Sequence, residues 1–286
     1  LEMLRSPATL RAHGFALAWE GERVEPIALF REAMRLAERE GAEHLVVACG
    51  VDIAEVEIRH GNYKSGFEWA DWAVSEYKRR GINEHLRYKS AVATSAFARL
   101  LLGDDLEAAR LLGGLDVGTS YLDVPGYEGI VSTLGDVALV QGEYERALSV
   151  YAEIHENAPL EVFGFTALSL ITAHIAMRDW RSATSLAETV FAVSRSSTPY
   201  ERALGELAAG MAFSEGDATK AESLLVSAIS GLKAELHVAQ AAAWLSIVRL
   251  RNGRRKDAVE ALKAGALDAV VLSRVAGVLG LGVEPL

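Results

Sequence analysis

The residues of this 286-residue chain equipped for chemistry are seven histidines, one cysteine and 39 carboxylates. Their spacing decides what they could do. The histidines, at 13, 44, 60, 85, 155, 174 and 237, include no His-x-x-x-His pair, and Cys49 has no second cysteine to join it. Neither zinc-type ligation nor an internal disulfide is expected, and a lone cysteine suits a reducing compartment. Cys49 sits in Leu45-Val46-Val47-Ala48-Cys49 and reads as a small core hydrophobe. Gly61-Asn62-Tyr63-Lys64-Ser65-Gly66 has the glycine separation of a phosphate loop. Phe67-Glu68, however, stands where Lys and Ser or Thr are required. Gly277, Gly280 and Gly282 lack the strand and spacing of a dinucleotide fingerprint. There is no nucleophile elbow, and no two carboxylates have a spacing that demands acid–base work. The expectation is a chain with no catalytic residues, no metal and no cofactor.

Charge narrows the partners. A formal net charge of -10 argues against a chain that neutralises phosphates, so direct nucleic-acid binding is not expected. The one concentrated basic run, Arg249, Arg251, Arg254, Arg255 and Lys256, straddles a helix end, where cations complement the helix dipole. The longest uncharged stretch, 162–177, is short of the roughly 20 residues that cross a bilayer, so no membrane contact is expected and the location reads as cytoplasmic. The start at Leu1-Glu2-Met3 and the end at Pro285-Leu286 lead us to expect a segment cut from a longer protein.

The elements that must position any site repeat along the chain. Turns fall at Gly21, Gly61, Gly103, Gly142, Arg178, Gly216 and Gly253, which by subtraction gives periods of 40, 42, 39, 36, 38 and 37 residues. Five residues after each turn stand Pro26, Gly66, Ala108, Ala147, Ala183, Ala221 and Ala258. Four further on are Phe30, Ala70, Leu112, Tyr151, Ala187, Leu225 and Leu262, and three more give Ala33, Ala73, Leu115, Ile154, Val190, Ala228 and Gly265. Spacings of four and three put each triplet on one helical face. Seven residues before each turn stand Gly14, Ala54, Ala96, Gly135, Ile171, Ala209 and Ser246, nearly all small, as a close helix–helix approach requires.

This pattern predicts an all-α fold: a right-handed α-solenoid of about seven helix-turn-helix repeats forming a single superhelical domain over 1–286. First helices are expected near 8–20, 43–60, 82–102, 124–141, 160–177, 199–215 and 236–252. Second helices are expected near 24–40, 64–80, 104–113, 143–156, 180–194, 218–232 and 255–264, with a capping helix at about 268–280. Ser6-Pro7 and Thr198-Pro199 carry hydroxyl caps before first-turn prolines, and Asp104, Asp179 and Asp217 are candidate caps of second helices. Residues 113–126 are too rich in turn formers for helix and predict an irregular connector.

Gly135, Gly142, Tyr144, Ala147 and Tyr151 resemble the inner glycine, turn glycine, aromatic, alanine and bulky positions of the tetratricopeptide repeat family. The periods exceed that family's 34 residues, and its first-helix tryptophan and terminal prolines are mostly absent. Second helices ending as in Arg35-Leu36-Ala37-Glu38-Arg39-Glu40-Gly41 look more like the sensor region of MalT-like bacterial regulators. In those proteins a repeat domain lies between a nucleotide-binding ATPase module and a DNA-binding domain. The resemblance implies a non-catalytic regulatory domain of a larger transcription or signalling regulator. Its partner would be a protein or peptide, or a small-molecule effector, held in a concave groove lined by first-helix residues. The alternative is a free-standing adaptor that scaffolds a complex.

Counted in repeat register, the groove candidates are Arg11, Phe15, Trp19, Glu55, Arg59, Phe97, Asp136, Thr172, Glu206, Phe213 and Gln240. Aromatic and apolar groups with isolated charges suit a peptide, a protein helix or a small molecule. His13 and His174 fall on expected packing positions, and Trp69, Trp72, Trp180 and Trp244 are expected to pack between helices.

Overall fold

The computed structural model describes residues 6–115, 127–157, 163–194 and 198–264. Among these residues the chain forms fourteen α-helices and no strand. First helices of the seven pairs are α1 (Pro7–Trp19), α3 (Glu43–Arg59), α5 (Leu86–Leu102), α7 (Tyr127–Val140), α9 (Phe163–Ala176), α11 (Pro199–Phe213) and α13 (Glu235–Arg251). Second helices are α2 (Val24–Glu40), α4 (Tyr63–Arg79), α6 (Asp105–Gly113), α8 (Tyr144–Asn157), α10 (Trp180–Ser194), α12 (Ala218–Gly231) and α14 (Arg255–Ala264). The chain is an α-solenoid of helix pairs. Its contacts gather into two compact units, Leu1–Thr133 and Leu134–Leu286. The expected cap at 268–280 lies outside the described residues, as does all but the start of the 113–126 connector.

One backbone device makes the turn inside nearly every pair. Gly21, Gly61, Gly103, Gly142 and Gly253 all take positive φ, between 72° and 97°. In each case the following N–H reaches back five residues, as from Asn62 to the Glu57 carbonyl (2.9 Å) and from Glu143 to Ala138 (2.9 Å). This closes the helix end in the manner that favours glycine there. The fifth turn does the same with Arg178 at φ 61°, a side chain held in a region that costs a non-glycine residue energy. The sixth, at Gly216, closes without a positive φ.

Caps start the helices. Ser6 accepts the Thr9 N–H at 3.2 Å, and Thr198 with Glu201 forms a reciprocal capping box. Asp179 and Asp217 cap second helices by accepting from Ser182 and Lys220. Asp104 makes no cap bond and pairs instead with Arg99 at 3.2 Å. One first helix, α5, starts later than its spacing suggests, at Leu86. The delay at α5 has a visible cause: Ile82 N–H still closes the end of α4 on the Tyr77 carbonyl (3.0 Å), and His85 caps the start of α5.

The triplets are the core. Within the described residues, Ala108, Ala147, Ala183 and Ala221 are fully buried, as are Phe30, Ala70, Ala187 and Leu225 one turn on. Bulk is traded across several of the pairs. Phe30 and Tyr151 face Gly14 and Gly135, where an added Cβ would stand 2.7 and 2.3 Å from the rings. Where the bulky position shrinks to Ala187, its counterpart grows to Ile171. In these pairs a small residue on one helix admits a large one on the other, as close packing demands.

Beyond sequence neighbours, the substantial contacts run from first helix to first helix: α1 to α3 and α3 to α5 in unit 1, α9 to α11 and α11 to α13 in unit 2. First helices are therefore flanked on several sides. α3 and α11 are buried around most of their circumference, whereas second helices bury a single stripe. Within a unit, the remaining accessible strip of the first helices is a shared face. Among the described residues no helix is long and apolar enough to cross a membrane.

Candidate functional site

On α1, Leu10, Gly14 and Ala18 turn into the core at a spacing of four. That leaves Arg11, Phe15 and Trp19, also spaced by four, as a half-buried stripe one residue further round. α3 places Asp52, Glu55 and Arg59 opposite them, and α5 contributes Arg87. The result is a charged, aromatic face built by three first helices of unit 1.

Asp52 is its centre. The carboxylate is wholly buried, with 0% of the side chain exposed, and it sits between two guanidinium groups. Arg11 Nε and Nη2 donate to it at 2.5 and 3.0 Å from α1, and Arg87 Nη2 donates from α5. A buried carboxylate is tolerable only when its charge and lone pairs are met in this way. Burial works against the Arg11 charge, but the attraction of Asp52 and its hydrogen bonds hold the Arg11 pKa above the ordinary value. Arg59 lies over the Trp19 ring, 5.0 Å from its centroid, and donates to the Ala18 carbonyl at 3.4 Å. Arg11 stands 5.8 Å from the Phe15 centroid. Such placements recover some of what a guanidinium loses when water is stripped from it.

Glu55 is different. One turn beyond Asp52, it accepts no hydrogen bond from the described residues, while Arg59 lies over Trp19 and donates to the Ala18 carbonyl. Burial, with the Asp52 charge adding to it, raises the Glu55 pKa above the ordinary carboxylate value, although Arg87, Arg59 and Arg11 pull the other way. Glu55 opens on a recess lined by Phe15, Trp19, Phe30, Asp52 and Arg59, whose volume of about 10 Å³ is that of a single water. The face is ready-made for polar recognition but holds no deep pocket.

Unit 1 thus brings together Arg11, Phe15, Trp19, Glu55 and Arg59 from the expected groove set, while Phe97 stands half-buried on α5 outside the recess. In unit 2 the expected residues are each engaged in their own surroundings. Asp136 accepts from the Tyr151 hydroxyl at 2.6 Å, turned toward α8. Thr172 donates to the Leu168 carbonyl of its own helix at 2.8 Å. Gln240 Nε2 lies 3.8 Å from Met211 Sδ, and Lys220 sits 3.5 Å over the Phe213 ring. Glu206 is half-buried on α11.

Two sequence features resolve clearly. Cys49 is fully buried and burial pushes its thiol up to about 12, which leaves no thiolate for reaction. Three of the five cations in the basic run are paired: Arg249 and Arg254 share Glu222 at 2.9 and 2.6 Å, and Arg251 meets Glu215 at 2.6 Å, while Arg255 and Lys256 are exposed. Trp244 is buried and Trp69 meets Trp72 edge-on at 5.6 Å, as packing residues should. His13, expected to pack, is exposed instead, because the α1 core stripe runs through Leu10 and Gly14. His174 is half-buried, its Nδ1 3.4 Å from Asp179.

Sequence reading missed Asp52 and Arg87, the centre of the site. The available signal was an aspartate inside the apolar run Val46–Ile58, a residue type that interiors accept only with partners.

No protein-family model matches the chain, and no curated protein matches it. Among solved structures, the TPR domain of P58(IPK) is similar over 98% of this chain and 80% of that chain, at 15% identity and a TM-score of 0.27. With a score that low, the repeat architecture rests on the helix pairing itself.

Proposed function

We propose that this chain is a non-catalytic, tetratricopeptide-like binding domain that takes a protein, peptide or small effector on the exposed strip of its first helices. The observation that carries the reading is the unit 1 face: a buried Arg11–Asp52–Arg87 clamp holds α1, α3 and α5 together, and beside it Glu55 accepts no hydrogen bond from the described residues. Fixed charges and rings on rigid helices are the anatomy of a recognition surface. On this reading the domain is the cytoplasmic sensor of a larger bacterial transcription or signalling regulator. An acidic chain in which three of the five cations of the basic run are paired with carboxylates gives no support to direct nucleic-acid contact.

Two assays test the reading. A thermal-shift screen against small effectors reports a sensor, and a pull-down retaining a stable protein partner reports a scaffolding adaptor. In either case, Glu55→Gln and Arg59→Ala are expected to abolish at least one hit without lowering the stability of the free protein by more than about 1 kcal/mol. Hits that bind both variants as tightly as the unmodified chain would remove this face from consideration.

A further inference from the structure

The junction between α4 and α5 contains a helix cap that can be titrated. α4 ends with Gly81 at φ 67°, and α5 begins only at Leu86, with His85 in extended geometry before it. His85 Nδ1 accepts the Arg87 N–H at 3.1 Å, the role that hydroxyls play at Ser6 and Thr198. A hydroxyl keeps that role at any physiological pH, but an imidazole does not. Only the neutral ring offers an acceptor nitrogen. Protonation turns the acceptor into a donor and places a positive charge on the positive end of α5.

The surroundings resist that charge. The His85 ring stacks on buried Tyr77 (centroids 6.3 Å apart, planes at 14°) and meets the ring of His44 at 6.0 Å. The titratable and charged groups around it are Glu43 and His44 at the head of α3, Tyr77 and Arg80 at the end of α4, and Glu84, Arg87 and Tyr88 on its own segment. Arg80 and Glu43 face each other at 4.0 Å, and no carboxylate among the described residues pairs with the His85 ring. Burial first, then His44 and Arg87, hold the His85 pKa below its ordinary value.

Arg87, whose N–H the cap secures, is also the residue whose guanidinium binds Asp52. We propose that His85 is an acid-sensitive latch: neutral, it pins the first turn of α5 and seats Arg87 on Asp52; protonated, it frees that turn and loosens the clamp. Above the ordinary histidine value of 6.5 both open and closed forms are neutral, so the latch is fully engaged. Below it, the open form takes up a proton that the closed form refuses, and closure weakens as the pH falls. The latch is a property of the fold and stands whatever ligand the face binds.

NMR on the full, ¹⁵N-labelled chain tests it between pH 7.5 and 5.5. The readouts are the His85 ring titration and amide exchange at Arg87 and Tyr88, corrected for the intrinsic pH dependence of exchange. Protection of the Arg87 amide is expected to fall about fivefold, the factor associated with losing one cap. His85→Asp, which caps without changing charge in this range, should hold protection constant, and His85→Ala should be poorly protected throughout. His44→Ala should raise the His85 midpoint. Equal loss of protection in wild type and His85→Asp, or a His85 midpoint at or above 6.5, would overturn the latch; the ring titration needs no variant to fold.

Discussion

Units 1 and 2 are built from the same helix pair, yet their interiors are held by different chemistry. In unit 1 ions join the first helices, with Arg11 and Arg87 meeting on Asp52, and Arg23 in the α1–α2 turn reaches Glu57 of α3 at 3.1 Å. In unit 2 the corresponding helices are rich in buried alanine and joined by apolar packing, and their cross-helix polar contacts are short hydrogen bonds such as Tyr200 to His237 (2.7 Å) and His155 to Thr166 (3.0 Å). Its ion pairs lie at the turns, around Glu222 and Glu215. Apolar packing suffices to stack these helices, so the buried charges of unit 1 are not needed for architecture. Buried ions are poor stabilisers compared with apolar groups of equal volume, and their value lies in orientation and specificity. That contrast is the ground on which we propose unit 1 as the recognition face.

The largest expected effect is the removal of the central charge. Asp52→Ala leaves two part-buried guanidinium groups without their shared counter-ion and should destabilise by about 3–5 kcal/mol in urea unfolding. The concerted replacement Arg11→Met, Asp52→Leu, Arg87→Met should be neutral or stabilising while eliminating ligand binding. A triple variant that is badly destabilised would break the contrast, since the ions would then be structural.

Next in size is the pH response of unit 2. Burial raises the Asp136 carboxyl to about 6, against which the Tyr151 hydroxyl works only in part. The folded state therefore binds a proton that the unfolded state, near 3.8, has lost. Stability must fall as the pH rises from about 4 to about 6, by on the order of 3 kcal/mol. Asp136→Asn should flatten that segment of the stability–pH curve, which calorimetry reads directly. The sign is opposite to that of the His85 latch, so the two regions separate on one titration.

Packing predicts a smaller effect within one helix. Gly135→Ala drives a Cβ to 2.3 Å from the Tyr151 ring and should cost about 1–3 kcal/mol in urea unfolding. Gly129→Ala, on the same α7 and with nothing within 4 Å, should raise the melting temperature by the ~1 kcal/mol that alanine gains over glycine in a helix. The smallest effect belongs to the surface of unit 1. Arg79 and Arg80 lower the Glu76 carboxyl to about 2 through hydrogen bonds, yet Glu76→Gln should change stability by less than about 1 kcal/mol, and less still in high salt.

The helix pairs were legible because they are written locally. A turn glycine, a small residue five on and two bulky ones at four and three more name a helix and its buried stripe without any reference to the rest of the chain. The same reasoning located Ser6, Thr198 and the Gly14–Phe30 contact. It located the unit 1 face only in outline. Arg11 and Asp52 are 41 residues apart and Asp52 and Arg87 are 35 apart, so nothing local marks them as partners. Asp136 shows the opposite failure: its repeat position matches that of Glu55, but the hydroxyl of Tyr151 draws it toward α8. His85 had no distinguishing sequence signal, because a histidine becomes a cap only once the preceding helix has ended, here at Arg79.

Sequence by itself determined the helices, their turns and the recurring small positions at which paired helices meet, since hydrophobic periodicity and glycine's access to positive φ act over a few residues. Tertiary structure alone decided which charges meet in the dry interior of unit 1 and which carboxylate stands apart from them. Desolvation and Coulomb attraction depend on distances that exist only after α1, α3 and α5 have been stacked.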